Sequence, residues 1–372
     1  MDNKLNKDFF IETLKKQYSR ENVDKILNGL SCERAVTLRI NTLKSDVCEI
    51  KDFLKSAEIE FDIVKWSNCG LIIKNKREID LQNLSIYNDG KIYLQSLSSM
   101  LPPIILRPEI GEDILDMAAA PGGKTTQIAA LTKNQANITA CEMNVIRAER
   151  LRYNVEKQGA NSVYVMQKDS RNIDDYFSFD RILLDAPCSG SGTLNLNDDN
   201  AFKYFSPKLV DKSRKTQISL LKKAITILKK GKELVYSTCS ILKNENEDVV
   251  NEVLTFFNNG KYDFKIEIVP IEFEGIDELP LLPSCISGTI CVCPNKMYEG
   301  FFVAKIRKVW KFLYIWNILW FNNLANKNEI TTSQNVSLLS KFVIILRTIF
   351  VVFPVFLWFN KYRLIDILIC FI

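Results

Sequence analysis

Two cysteines stand in short motifs that could bring reactive thiols together. The motifs Asp185-Ala-Pro-Cys-Ser-Gly-Ser-Gly192 and Tyr236-Ser-Thr-Cys-Ser240 each follow a run of residues typical of a buried strand. An isolated buried cysteine is usually inert packing, whereas an activated thiolate is a strong nucleophile. Because the carboxyl ends of parallel strands lie at one edge of a sheet, we expect Cys188 and Cys239 to meet there, beside the carboxylate of Asp185.

Histidine, the usual general base of enzymes, is absent from all 372 residues. Its absence excludes Ser-His-Asp triads, Cys-His pairs and mixed cysteine and histidine zinc sites. None of the ten cysteines belongs to a Cys-x-x-Cys motif, so we expect no bound metal. A thiolate in this chain must therefore be stabilised by nearby positive charge, by a helix N-terminus or by Asp185.

A turn that contains glycine, between a predicted strand and a predicted helix, could bind a cofactor. Glycines let a ligand approach the backbone, and a helix N-terminus offers N–H groups to a carboxylate or phosphate. ATP binding is a minor alternative, because a phosphate loop needs glycine where Ala118 stands, and a turn without any ligand is another. The candidate cofactor-binding residues of this turn are Ala118, Ala119, Ala120, Pro121, Gly122, Gly123 and Lys124.

Acidic residues recur at the ends of successive predicted strands. Glu142 ends the second strand, Asp169 follows the third and Asp185 closes the fourth. A carboxylate after the second strand suits the two ribose hydroxyls of an adenosine cofactor, and one after the third can accept from the adenine amino group. We therefore predict that Glu142, Asp169 and Asp185 line the cofactor crevice.

A cofactor beside two thiols and a carboxyl group suits methylation at carbon 5 of cytosine. That carbon is a poor nucleophile until a thiolate adds to carbon 6. Asp185 could assist the addition through a hydrogen bond at N3, and the second thiol is available for the release step. The base would have to leave its stack, so single-stranded or flipped-out cytosines are the expected targets.

The elements that position these residues indicate an α/β fold. From about residue 111 to 308, predicted strands alternate with long helices, which favours a doubly wound, mostly parallel sheet of seven strands. Residues 1–100 form a smaller predicted α/β module. The predicted strands are Ile114–Met117, Ile138–Glu142, Val163–Gln167, Arg181–Ala186, Glu233–Ser237, Phe264–Val269 and Phe301–Ile306, and the predicted helices are Lys124–Leu131, Asn144–Gln158 and Lys208–Leu228.

The last part of the chain, residues 309–372, differs in composition. Acidic residues nearly vanish there, and Ile349–Phe359 is wholly apolar. A membrane-associated tail and a non-native extension both explain this segment. The N-terminus lacks the apolar core of a secretory signal, so we expect a cytoplasmic protein. The net charge of +5 permits a nucleic-acid partner without establishing one.

These motifs, in this order, resemble the NOL1/NOP2/Sun family of RNA 5-methylcytosine methyltransferases. The resemblance implies a Rossmann-like methyltransferase domain, at 101–308, preceded by an RNA-binding module, with S-adenosylmethionine bound by the turn 118–124 and by Glu142, Asp169 and Asp185. It also implies that Cys239 is the nucleophile and that Cys188 assists release. The matching segments are Leu38–Leu43, Gly90–Met100, Ala118–Lys124, Asp185–Cys188, Ser237–Ser240 and Glu299–Lys305.

Two other functions compete with this prediction. Methyltransferases that modify the adenine amino group carry an Asn/Asp-Pro-Pro-aromatic turn, which Ala186-Pro187-Cys188 does not supply. An RNA-binding factor that uses the fold only as a scaffold would have no need of both cysteines, Asp185 and the cofactor turn. We expect a monomer that acts on ribosomal or transfer RNA.

Overall fold

A computed structural model describes residues 2–311 of the chain. Two helices come first, and a small antiparallel sheet with strand order β2-β3-β1-β4 follows them. This part contains both helices and strands, as predicted for an α/β module. The elements are α1 (Asp2–Gln17), α2 (Arg20–Leu30), β1 (Val36–Ile40), α3 (Val47–Ser56), β2 (Phe61–Ile63), β3 (Gly70–Ile73), α4 (Glu78–Gln82), α5 (Ser85–Asn88) and β4 (Ile92–Leu94).

The rest of the described chain forms a larger sheet with helices packed on it. Polar residues cap its helices where they begin: Asn144 accepts from the backbone of Arg147 at 3.0 Å, and Ser206 accepts from Leu209 at 3.2 Å. The elements are α6 (Leu97–Leu106), β5 (Asp113–Asp116), α7 (Gly123–Leu131), β6 (Asn137–Cys141), α8 (Val145–Lys157), β7 (Val163–Met166), β8 (Phe179–Asp185), α9 (Pro207–Ile227), β9 (Leu228–Thr238), α10 (Glu247–Phe257), β10 (Phe264–Ile268), β11 (Leu281–Leu282), β12 (Ile290–Val292) and β13 (Phe301–Trp310).

The larger sheet has nine strands in the order β11-β12-β13-β9-β8-β5-β6-β7, with β10 paired to β13. Strands β5 to β9 are parallel, and the pairs that involve β10 to β13 are antiparallel. The α/β fold is therefore confirmed. All seven predicted strands are present, but the predicted number is too low, because β11 and β12 have only two and three residues and show no periodicity of their own.

The strand order reverses next to β5. The chain runs from β5 outward to β6 and β7, then returns to β8 on the other side of β5. In open α/β sheets, ligands bind in the crevice at such a switch point, outside the carboxyl ends of the strands. The turns after β5 and β8 therefore border the expected crevice.

The first two helices pack on the larger sheet. Phe10 is fully buried, and its ring lies 5.6 Å from that of Phe202 and 5.5 Å from that of Phe205. Leu14 and Ile26 belong to the same hydrophobic core. The sequence assigns these helices to the N-terminal module, whose predicted boundary at residue 100 stays a prediction.

Buried polar contacts join the small sheet to the larger domain. Arg39 on β1 donates from Nε to Gln95 Oε1 at 2.9 Å and from a guanidinium nitrogen to Thr126 Oγ1 on α7 at 3.0 Å. Asn41 donates to the carbonyl oxygen of Gln158, at the end of α8, at 2.8 Å. The small sheet is therefore held against the two helices that follow the first two parallel strands.

The predicted tail begins at residue 309, and from residue 312 onward it lies outside the described residues. Within residues 2–311, no helix is long and apolar enough to cross a bilayer.

Candidate active site

The two predicted cysteines lie side by side. Strands β8 and β9 are parallel neighbours, with Asp185 in register with Ser237, so the turns after both strands begin at the same edge of the sheet. The Sγ atoms of Cys188 and Cys239 are 3.1 Å apart, and both residues are partly exposed free thiols. The sequence predicted this convergence.

Asp185 is held from two sides. Ser237 Oγ donates to its Oδ1 at 2.7 Å, and the ammonium of Lys124 lies 2.8 Å from its Oδ2. Lys124 also donates to Ser99 Oγ at 2.8 Å. Burial would lower the pKa of Lys124, but the charge of Asp185 and its hydrogen bond raise it above the usual value. A charged lysine therefore stands at the centre of the site, in a chain without histidine.

Lys124 also interacts with one of the two thiols. The charge of Cys239 is one of the influences that raise the pKa of Lys124, so the two groups interact. By contrast, the hydrogen bond with Cys239 and burial raise the pKa of Cys188 well above its usual range. The two thiols therefore differ: Cys239 interacts with a cation, and Cys188 is held in its protonated form.

A buried carboxylate that sequence reasoning missed, Glu245, connects the two cysteine turns. Its oxygens accept from the backbone N–H of Ser189 at 2.7 Å, from Ser189 Oγ at 2.5 Å and from Ser240 Oγ at 2.7 Å. Burial raises the pKa of Glu245, against the effect of these donors. Nothing in the sequence distinguishes Glu245 from its acidic neighbours, because its partners are set by the fold.

Two glycines allow two backbone segments of the site to touch. Gly192 donates to the carbonyl oxygen of Cys239 at 3.0 Å and accepts from the N–H of Gly300 at 2.8 Å. A Cβ on Gly192 would lie 2.0 Å from the carbonyl oxygen of Gly300. Both segments, Asp185–Gly192 and Glu299–Lys305, therefore need glycine where their backbones touch.

The turn after β5 has the form of a ligand cradle. Gly122, with φ 110°, precedes α7, and no side chain caps this helix N-terminus. Asp116 is buried; its Oδ2 accepts from Thr125 Oγ1 at 2.7 Å, while its Oδ1 has no hydrogen-bond partner among the described residues. Burial raises the pKa of Asp116 to about 6. Sequence reasoning passed over Asp116, although it stands two residues before Ala118, the first residue of the predicted turn.

The other two predicted acids lie at the ends of β6 and β7. Glu142 is buried, accepts from the N–H of Asn144 at 2.9 Å and lies 3.5 Å from Nε of Arg147. Asp169 is bound by the guanidinium of Arg171 at 2.5 Å, and this hydrogen bond lowers its pKa. Both carboxyl groups are hydrogen-bond acceptors near the crevice, and their cofactor roles stay predictions.

These features fit an adenosine cofactor. The unpartnered Oδ1 of Asp116, the uncapped N-terminus of α7 and the buried carboxylate of Glu142 offer it acceptors and donors along the crevice. In residues 2–311, no three histidine, cysteine, aspartate or glutamate side chains are placed to hold a metal ion.

Comparison with known proteins identifies the family. The model of the 16S rRNA methyltransferase RsmB/F family matches residues 103–307, and that of the ferredoxin-like domain of RsmF/B-like methyltransferases matches residues 8–80. This chain belongs to the RsmB/F methyltransferase family. The resemblance to NOL1/NOP2/Sun proteins is thereby confirmed.

Relatives within and around the RsmB/F family support this membership. Ribosomal RNA small subunit methyltransferase F of Shewanella loihica is 33% identical over 82% of this chain and 63% of its own length. A methyltransferase homolog protein of Pyrococcus horikoshii is 30% identical, with a TM-score of 0.66 over 81% of this chain and 99% of its own. NSun6 of Pyrococcus horikoshii, solved with SFG, has a TM-score of 0.70 at 23% identity over 81% of this chain and 97% of its own, which shows the fold alone.

The chain spans slightly less than two thirds of the length of the curated RsmB/F relatives it matches first, 63% and 64%.

Proposed function

We propose that this chain transfers a methyl group from S-adenosylmethionine to carbon 5 of a cytosine in RNA, through a covalent bond between Cys239 and carbon 6. The observation that carries the proposal is the 3.1 Å approach of Cys188 and Cys239 beside the Lys124–Asp185 pair. A methyltransferase that modifies an exocyclic amine needs neither thiol. Two adjacent thiols, one near a cation, are the groups that addition and release at a pyrimidine require.

The first step is addition. The Cys239 thiolate, with the Lys124 ammonium nearby, forms the bond to carbon 6, and the electron pair of the 5,6 double bond becomes available at carbon 5. Asp185 accepts from Ser237 and Lys124, which fixes its carboxyl group where it could meet N3 of the base. The addition needs a proton at N3, which Asp185 would carry to the base in its protonated form. S-adenosylmethionine, when bound, supplies the methyl group that carbon 5 attacks.

The second step is release. A base removes the proton from carbon 5, the double bond reforms, and the bond between carbon 6 and Sγ of Cys239 breaks to return the thiolate. Cys188 lies close enough to Cys239 to take part in this step. Because its pKa is raised, Cys188 holds a proton in the free protein, and this proton must pass to solvent water before the Cys188 thiolate can accept the proton from carbon 5.

The proposed cofactor contacts follow the crevice. Asp116 and the turn 118–124 would bind its amino acid part, and Glu142 would accept from its ribose hydroxyls. Asp169 would accept from the adenine amino group while it keeps its bond to Arg171. For the RNA, the names of the relatives favour ribosomal RNA of the small subunit over transfer RNA.

The test is covalent trapping. We would incubate wild-type, Cys188→Ala and Cys239→Ala proteins with small-subunit ribosomal RNA and S-adenosylmethionine, then separate them on a denaturing gel. We expect an RNA-linked band with Cys188→Ala, because release is blocked, and none with Cys239→Ala. Nucleoside analysis should find 5-methylcytidine with the wild type.

Other results would redirect the proposal. A band only with Cys239→Ala would make Cys188 the nucleophile. Methylated adenosine, or methylation by both variants without any band, would overturn the covalent cytosine mechanism.

A further inference from the structure

Glu245 is the one buried carboxylate of the described chain that contacts the residue after each active-site thiol. Ser189 follows Cys188, and Ser240 follows Cys239. The carboxylate accepts from Ser189 through both N–H and Oγ, at 2.7 and 2.5 Å, and from Ser240 Oγ at 2.7 Å. One side chain thereby joins the turns after β8 and β9.

The surroundings of Glu245 keep it in place. The hydroxyl of Tyr236 on β9 donates to its carbonyl oxygen at 2.5 Å. Gln217 on α9 donates from Nε2 to Oε1 of Glu245 at 3.4 Å and to the carbonyl oxygen of Pro187 at 3.0 Å. Within residues 2–311, Glu245 has no ion pair, so hydroxyl and N–H donors alone compensate its charge. Such a carboxylate tolerates little change in the position of its donors.

We infer that Glu245 is a positioning residue of the reaction proposed above: it fixes the Cys188 turn against the Cys239 turn and so keeps Cys188 beside the adduct for release. Hydrogen bonds to a buried charged acceptor are stronger than neutral ones. The two sulfur atoms can stay 3.1 Å apart only while both turns keep their place. Without the carboxylate, Ser189 and Ser240 lose their common partner and the turn of Cys188 is free to move.

The charge of Glu245 also affects the pKa of Cys188. Cys239, Glu245 and Tyr236 are the titratable groups that interact electrostatically with Cys188. After the hydrogen bond to Cys239 and burial, the charge of Glu245 also raises the pKa of Cys188. A neutral residue at position 245 should therefore make Cys188 ionise at lower pH.

The experiment compares Glu245→Gln with Glu247→Gln. Glu247 is also buried, but it accepts from Ser284, so it is a matched control outside the two turns. With RNA and S-adenosylmethionine, Glu245→Gln should accumulate the RNA-linked band in single-turnover reactions. In multiple-turnover reactions it should lower kcat about 10- to 100-fold, with KM changed less than about 3-fold. Glu247→Gln should accumulate none.

A second measurement needs no RNA. Alkylation by iodoacetamide, read for each cysteine by mass spectrometry across pH, should show Cys188 reacting at lower pH in Glu245→Gln than in wild type and Glu247→Gln. An unchanged Cys188 profile together with no accumulated band would overturn the inference. If Glu245→Gln fails to fold, Ser189→Ala, which keeps the backbone bond and the charge of Glu245, should accumulate the RNA-linked band to a smaller degree.

The two proposals fail in different ways. If Cys188→Ala itself traps no RNA, the covalent mechanism fails, whereas the alkylation profile still tests the action of Glu245 on Cys188. If Cys188→Ala traps RNA and Glu245→Gln releases it as fast as wild type, the positioning role alone is wrong.

Discussion

The ammonium of Lys124 lies 2.8 Å from Oδ2 of Asp185, and both side chains are mostly shielded from water. This ion pair joins the helix after the first parallel strand to the end of the fourth. The lysine also interacts electrostatically with Cys239, in a chain that has no histidine to activate a thiol. The turn after β5 and the turn after β8 are thus parts of one electrostatic unit.

A double-mutant cycle should detect this coupling. Lys124→Met leaves the Asp185 charge unpaired, and Asp185→Asn leaves the lysine unpaired, so each should lower the free energy of unfolding by about 2–4 kcal/mol. The double variant should lose clearly less than the sum. Urea denaturation would measure the three values. The exposed pair Lys215–Asp211 on α9 is the control, and coupling no larger than in that pair would show the prediction to be wrong.

Asp116→Asn should change how stability depends on pH. Burial raises the pKa of Asp116 to about 6, so the folded state favours its protonated form. The protonated carboxyl group of Asp116 therefore stabilises the folded state. This stabilisation is fully present below about pH 4 and is lost as pH rises through 6. Asparagine cannot ionise, so the variant does not lose this stabilisation as pH rises. Between pH 4 and pH 7, its free energy of unfolding should therefore rise by about 3 kcal/mol relative to that of wild type.

Urea midpoints at several pH values would check the Asp116 prediction. Asp24→Asn, an exposed position on α2, is the control and should run parallel to wild type. If the urea midpoints of Asp116→Asn and of wild type also change with pH in parallel, the carboxylate of Asp116 is not buried as it is in the structure.

Gly192→Ala should damage the active site through a backbone clash. The new Cβ would lie 2.0 Å from the carbonyl oxygen of Gly300, so one of the two segments must move. We expect a loss of about 2–4 kcal/mol in the free energy of unfolding and loss of the covalent band in a Cys188→Ala background. Gly111→Ala, which has open space but a φ of +82°, is the control and should cost only about 1 kcal/mol. Equal effects of the two variants would contradict the clash.

Phe10→Ala should destabilise the larger domain. Its ring is buried against Phe202 and Phe205, so removal leaves a cavity that should cost about 3–5 kcal/mol. Leu5→Ala, on the same helix but 64% exposed, should cost little. Thermal unfolding monitored by circular dichroism would separate the two. A small effect at Phe10 would indicate that α1 does not belong to the core of the larger sheet.

The sequence was informative wherever a pattern repeats locally. Alternating strands and helices predicted the parallel part of the sheet, and acids at strand ends predicted which edge holds the site. The short strands β11 and β12 were not predicted, because two or three residues are too few to show the alternation of apolar and polar side chains that marks a strand. Asp116 was not predicted as a site residue, although it precedes the predicted turn. An acidic residue at the end of a buried strand is common, and only the oxygen without a hydrogen-bond partner distinguishes Asp116.

By itself, the sequence determined the fold class, the family and which two of the cysteines meet at the edge of the sheet. These depend on residue type, order and short-range spacing. The tertiary structure decided which groups meet: Lys124 with Asp185, Glu245 with the residues after both thiols, and α1 with the larger sheet. Contacts of that kind join residues far apart in the chain. They follow from strand order and from the packing of helices on the sheet, neither of which a local pattern records.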